Sequence, residues 1–414
     1  MGSSRQVARR RVFYIPGYDP IHPRRYRELY RREGAEQARL CGYALALGPK
    51  AAGGTYGWHV TAQIEGAGTE ADIDVLVWSD IVRGSMGQSV GATYGQLLRT
   101  SWAYVGSGAL LRLMRLRKGP MIAALYPVGM LLLQLALALL AGWGGGALAA
   151  WGLTAAGLLG WLAALAGWAA AAGVAALVLV RFRRADARFY AYYLMHDFAY
   201  AARWNGANPP ELEARMAAFG NTIAAALTED WDEVLVIGHS SGAHLAISIL
   251  ADLIRAGRVP AEGPELSLLT LGQVVPMVSF LPRATRLRRD LRDLSRREEL
   301  TWVDVTAPGD GCAFALCDPV AVSGVAPPGK RWPLVLTAAF TRTLSPARWK
   351  ALRWRFFRLH FQYLCAFDAL PGAADDYDYF RITAGPRTLA ARLGHRPPAR
   401  SRIETPVNRH TECG

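Results

Sequence analysis

The hydrophobic pattern changes period several times along the chain, and each change marks an element. Arg11-Val-Phe-Tyr-Ile-Pro-Gly-Tyr-Asp-Pro reads as a short apolar strand running into a loop. A charged helical segment follows over 22–41. Residues 57–64 and 72–78 are enriched in β-branched and aromatic side chains, which predicts two strands. From Pro210 to Leu227 apolar residues recur at helical spacing (Leu212, Met216, Phe219, Ile223). Residues 232–237 carry the continuous apolar run Val-Leu-Val-Ile, bounded by Gly238, and 243–255 form an apolar helix. Further strands are expected at 266–275 and 300–305. Strand and helix alternate, which predicts an α/β fold with a mainly parallel sheet flanked by helices.

One tract interrupts this alternation. Between Lys118 and Arg181 lie 62 consecutive residues without Asp, Glu, Lys or Arg. A membrane span needs roughly 20 apolar residues, so the tract accommodates two. The first is expected from Met121 to Trp143 and the second from Trp151 to Val180, with the turn at Gly144-Gly145-Gly146, a run that readily breaks a helix. Arg112, Arg115, Arg117 and Lys118 precede the tract; Arg181, Arg183, Arg184 and Arg188 follow it. Basic flanks favour the cytoplasmic face, so both soluble parts are expected there, with a small loop outside. Neither soluble part supplies a full set of strands and covering helices. The organisation expected is therefore one α/β domain split into 1–118 and 181–394, a transmembrane hairpin inserted at 119–180, and a disordered Pro/Arg-rich tail at 395–414.

Composition sharpens this picture. Of 414 residues 52% are hydrophobic and only 19% charged, with a mean hydropathy of +0.11, which excludes a disordered or collagen-like chain. The net charge of +14 fits a body beside an anionic leaflet. No zinc-finger or RNP-type motif supports nucleic-acid binding. Five cysteines without a Cys-x-x-Cys pair read as reduced thiols, with no metal site. The N-terminal residues are polar and basic, without the apolar core of a cleavable signal peptide.

Gly238-His239-Ser240-Ser241-Gly242 matches Gly-x-Ser-x-Gly. The glycines are needed because side chains two residues to either side of a serine on a tight strand-to-helix turn would clash. Gly87-Gln88-Ser89-Val90-Gly91 matches as well, but it follows a loop-like Arg-Gly-Ser-Met and abuts no strand, whereas Ser240 joins a strand to a helix. His239 and His244 flank the serine and read as packing or hydrogen-bonding residues.

The segment around Ser240 resembles the nucleophile elbow of the α/β-hydrolase fold, as in lipases and esterases; the overall pattern looks like a membrane-inserted bacterial branch. The resemblance implies a serine hydrolase with the chain order nucleophile, acid, histidine. Ser240 is then the nucleophile. Asp310, in a loop just past the 300–305 strand, is the expected acid, with Asp318 as the alternative; Asp304 lies within the strand and reads as structural. Of the histidines after Asp310, His395 and His410 fall in the tail, leaving His360 as general base. Oxyanion donors implied by the resemblance are the N–H of Ser241 and, from the loop after the first strand, Tyr18 and Gly17. The family's usual His-Gly pair reads Pro16-Gly17 here.

Two basic amphipathic segments, 283–297 and 347–361, suit a membrane headgroup region. They place the expected site near a bilayer, favouring membrane lipids or another lipid-like acyl ester as substrate. No Walker A or Gly-x-Gly-x-x-Gly loop is present, so no cofactor is expected. A serine acyltransferase of membrane-lipid metabolism and a catalytically silent assembly protein on the same fold remain open alternatives. The expected localisation is the bacterial inner membrane with the catalytic domain cytoplasmic, and the Gly/Ala-rich spans are compatible with a homo-oligomer.

Overall fold

Eight strands form one sheet in a computed structural model that describes residues 6–50, 54–87, 89–372 and 376–414. They are β1 (Arg9–Ile15), β2 (Ala44–Gly48), β3 (Gly57–Ile64), β4 (Ala67–Val75), β5 (Glu233–His239), β6 (Glu265–Leu271), β7 (Leu300–Thr306) and β8 (Leu334–Thr337). Their order is β2-β3-β4-β1-β5-β6-β7-β8. The pairings from β4 through β1 to β8 are all parallel; β2–β3 and β3–β4 are antiparallel. β5 is buried at every residue, as a central parallel strand covered on both faces should be. β2 and β8 are not legible in the hydrophobic pattern, being short edge strands.

The chain divides into two compact units. One contains Met1–Gly84, Tyr104–Met121 and Trp204–Gly414; the other contains Ser85–Ala103 and Ile122–Arg203. The first holds the whole sheet. β1, from before the apolar tract, pairs with β5 from after it, in register from Arg10↔Glu233 to Ile15↔Gly238. A buried ion pair, Arg10 Nε to Glu233 Oε2 at 2.5 Å, ties the two strands, and the Arg10 guanidinium also donates to the Gly385 and Arg387 carbonyls.

The second unit exceeds the expected hairpin. Leu97 packs with Leu131, Tyr192, Met195 and Ala199, so segments on either side of the apolar tract join it. Its two apolar helices, Lys118–Ala155 and Gly160–Arg184, are each long and apolar enough to cross a membrane. The expected turn at 144–146 is corrected: those glycines lie inside the first helix, and the reversal falls at 156–159, where Gly157 has φ +86°. The glycines serve contact between the helices. A Cβ on Gly146 would come 2.6 Å from the Gly167 carbonyl oxygen and 2.7 Å from Ala171 Cβ. Small residues four apart let two helix backbones approach, and an apolar environment leaves a glycine little alternative to intrahelical hydrogen bonding.

A further expectation is corrected. Residues 395–414 are not a disordered tail: Ile403 N–H donates to Leu316 O, Asp318 N–H to Ile403 O, and Val407 N–H to Val322 O. Satisfied backbone donors fix a segment that composition alone marks as disordered. The basic segment over 283–297 turns its leucines and several of its arginines inward. Leu287, Leu291 and Leu294 of the Thr285–Leu294 helix are buried, Arg286 pairs with Asp252 and Glu213, and fully buried Arg288 donates to the carbonyls of Ser279 and Leu281.

Candidate active site

The site residues collect where parallel strands end. Gly17 follows β1, Ser240 follows β5, Gly272 follows β6 and Asp310 follows β7. The chain leaves β1 toward β2–β4 on one side and leaves β5 toward β6–β8 on the other, so β1 and β5 flank the point where strand order reverses. Open parallel sheets bind ligands in the crevice outside such a point.

Ser240 sits between β5 and the Gly242–Arg255 helix with φ +56°, in the left-handed region that non-glycine residues seldom adopt. The surrounding backbone is tight. A Cβ on Gly238 would lie 2.6 Å from Ala243 Cα, one on Gly242 would collide with the Ile15 and Pro16 carbonyls, and one on Gly17 would lie 2.9 Å from Ser240 Cβ. The loop after β1 therefore lies directly against the serine, and Trp78 Nε1 donates to Pro16 O at 2.9 Å to hold it there. Ser241 begins the helix, and its N–H has no backbone acceptor among the described residues. A developing negative charge at the serine would meet this N–H and the positive end of the helix dipole.

His360 ends the Phe356–His360 helix and is buried. Its Nδ1 lies 2.7 Å from Asp310 Oδ2. Asp310 also accepts from Tyr363 Oη at 3.0 Å and from Cys312 N–H at 2.9 Å. Burial alone would push the Asp310 carboxyl up, but the His360 ring and these donors outweigh it and hold the group below its ordinary value. The pair reaches the serine through the end of β6. Ser240 N–H donates to Leu271 O, and a Cβ on the next residue, Gly272, would lie 3.1 Å from His360 Cε1. With Nδ1 turned to the carboxylate, Nε2 is the nitrogen left to exchange a proton. No hydrogen bond joins Ser240 to His360 among the described residues.

His239 supports His360 from beneath. The rings lie 4.9 Å apart, and His239 Nε2 donates to the His360 carbonyl at 3.0 Å. Burial, then the neighbouring His360, pushes the His239 pKa down to about 3, so it stays neutral. This matches the reading of His239 as a packing or hydrogen-bonding residue; the Tyr363 hydroxyl was not identified in the sequence, although Tyr363 lies one helical turn past His360, a spacing that puts the two on one face.

The alternative acid lies elsewhere. Asp318 caps a short helix through the N–H groups of Val320 and Ala321 and pairs with Lys330. Ser89, in the second Gly-x-Ser-x-Gly match, accepts from Ala92 N–H at 3.1 Å at the start of the Val90–Gly106 helix. Gln88 of that match lies outside the described residues. Tyr18 is buried, with its hydroxyl turned to Val82 O. Asp310, Cys312 and His360 together bring three ligand-type atoms within 4.8 Å. The 2.7 Å between His360 and Asp310 is a hydrogen-bond distance, whereas two ligands on one tetrahedral zinc at ~2.0 Å would stand about 3.3 Å apart.

In comparisons with known proteins, no family model, no curated protein and no solved structure matches the chain.

Proposed function

We propose that the chain is a membrane-anchored serine hydrolase of the α/β-hydrolase type, cleaving an acyl ester through Ser240, His360 and Asp310. The observation that carries this reading is the conjunction of a left-handed serine at a strand–helix turn with a buried imidazole–carboxylate pair at the ends of neighbouring strands. His360 takes the Ser240 proton as the serine oxygen attacks the ester carbonyl; Asp310 holds the tautomer and balances the imidazolium. The N–H of Ser241, with that of Tyr18 or Gly17, receives the oxyanion. His360 then returns the proton to the departing alkoxide, and water repeats the sequence on the acyl-enzyme. Catalytic hydrogen bonds often tighten only with substrate bound, which accommodates the separate Ser240 and His360. An acyl acceptor other than water would make the same site an acyltransferase. The two basic flanks favour two spans with the sheet unit on the cytoplasmic face of a bacterial inner membrane.

Fluorophosphonate labelling in native membranes tests the reading. Wild type and Ser89→Ala should label, Ser240→Ala should not, and Asp310→Asn should label on the order of 10⁴-fold more slowly, as loss of the orienting carboxylate does in other serine hydrolases. Equal labelling of wild type and Ser240→Ala would refute the assignment.

A further inference from the structure

The segment leading into His360 carries a surface that the proposed chemistry does not use. Trp354, Phe356 and Phe357 are 73%, 46% and 42% exposed, among the larger apolar exposures of the sheet unit. Lys350, Arg353, Arg355 and Arg358 are interleaved with them and exposed. None of these four cations enters an ion pair among the described residues, whereas Arg348, just before them, pairs with Glu33 at 3.2 Å. The Arg353 guanidinium lies 5.6 Å from the Trp354 ring, which keeps cation and aromatic together. Exposed aromatics cost solvation in water, and unpaired cations beside them match a layer that is apolar below and anionic above.

The structure also shows what lies alongside. Gly119 is the first residue of the uncharged tract, and a Cβ on it would lie 3.4 Å from Gly311 Cα and from the Gly311 carbonyl oxygen. A Cβ on Gly311 would in turn lie 3.2 Å from Phe356 Cδ1. Arg117, two residues before Gly119, donates to Ala315 O at 2.8 Å. Phe356 therefore stands beside the start of the uncharged tract. On the side of Asp310 opposite Gly311, Gly309 lies under Trp349, with a virtual Cβ at 2.7 Å from the indole.

We infer that Lys350–Arg358 is a docking surface for the anionic headgroups of the bilayer that the chain's own helices cross. Lys and Arg bind the lipid phosphates, while Trp354, Phe356 and Phe357 enter the acyl boundary. Trp349 and Phe356 cover the backbone on both sides of Asp310, and the segment ends on His360. Docking thus sets an amphiphile's ester beside the site and deepens the reading above, on which that last step rests, by naming a membrane phospholipid as the partner that delivers substrate.

The test uses the full chain reconstituted in phosphatidylcholine vesicles with or without one-third phosphatidylglycerol. A trace lipid carries a photoactivatable headgroup, and adducts are mapped by mass spectrometry. Adducts should concentrate on the peptides from 350 to 358 in the anionic vesicles. They should fall at least ~tenfold in Lys350→Gln/Arg353→Gln/Arg355→Gln and also fall at high salt, since each cation near an anionic surface strengthens binding about fivefold and three together roughly a hundredfold. Equal adducts in both vesicles, or none on this segment, would overturn the inference. Ser240 labelling is read in the same samples. Adducts without Ser240 labelling would defeat the hydrolase reading alone; Ser240 labelling without anionic-dependent adducts would defeat the docking surface alone.

Discussion

Ser240 holds φ +56°, and a left-handed residue with a Cβ costs roughly 1–2 kcal/mol. Gly17, Gly238 and Gly242 give the turn the room it needs, since a Cβ at any of them would clash, and strain of this kind concentrates at functional sites. A second residue held against its preference is Asp304. It is fully buried within β7; Oδ1 accepts from the Thr270 hydroxyl at 2.6 Å, and Oδ2 has no partner among the described residues. Burial pushes its pKa up to about 8. An aspartate free in the unfolded chain titrates near ~3.9, so the folded state holds the proton more tightly. This contribution to stability is complete below about pH 4 and is lost as pH rises through about 8. Wild-type protein should therefore lose thermal stability from pH 5 to pH 9, and Asp304→Asn should remove much of that slope and be the more stable protein at pH 9. Thermal unfolding at the two pH values measures it; an unchanged slope in the variant would assign the effect to another group.

At the scale of elements, the central strands and the helices covering them were legible because burial on both faces writes a continuous apolar run, as in Val234–Ile237. The antiparallel β2 and the short β8 were not, since an edge strand needs no such run. The apolar tract shows where local reasoning fails. Gly144-Gly145-Gly146 reads as a turn by backbone entropy, yet the helix passes through it because Gly146 must approach Gly167 and Ala171. The two arrangements predict different neighbours. A Cβ on Gly145 would lie 3.7 Å from Val174 Cβ, within the 3.5–4.5 Å that a disulfide spans. Gly145→Cys/Val174→Cys should therefore lose both introduced thiols to maleimide after mild oxidation in membranes, while each single variant keeps its own. With a turn at 144–146, residue 145 would sit at the hairpin tip, far from 174, and both thiols would survive oxidation.

For the whole molecule, the decisive relation is that one sheet is completed by chain from both sides of the apolar tract, through β1 against β5. Sequence suggested this only by elimination, because neither half carried a full set of strands; the tail at 395–414 was misread because its anchors, Leu316 and Val322, are distant in sequence. Both ends of the tract must then return to the sheet. The two helices have 38 and 25 residues, about 57 and 38 Å at ~1.5 Å per residue, and each exceeds the ~30 Å of a hydrocarbon core. On the proposed topology two crossings would bring the chain back to its starting face, and the arginines at 112–117 and 181–188 favour the cytoplasmic side for it. The reversal at 156–159 is then exposed on the far side. All five native cysteines lie in the sheet unit and supply an internal reference. In intact cells with the outer face accessible, an impermeant maleimide should label Leu158→Cys and leave wild type unlabelled; after permeabilisation the accessible native cysteines should label in both. Leu158 is 39% exposed, so labelling reports sidedness rather than burial. Labelling of Leu158→Cys only after permeabilisation would place the tip of the hairpin on the same face as the sheet unit, and the long apolar helices would then lie in that compartment without crossing the bilayer.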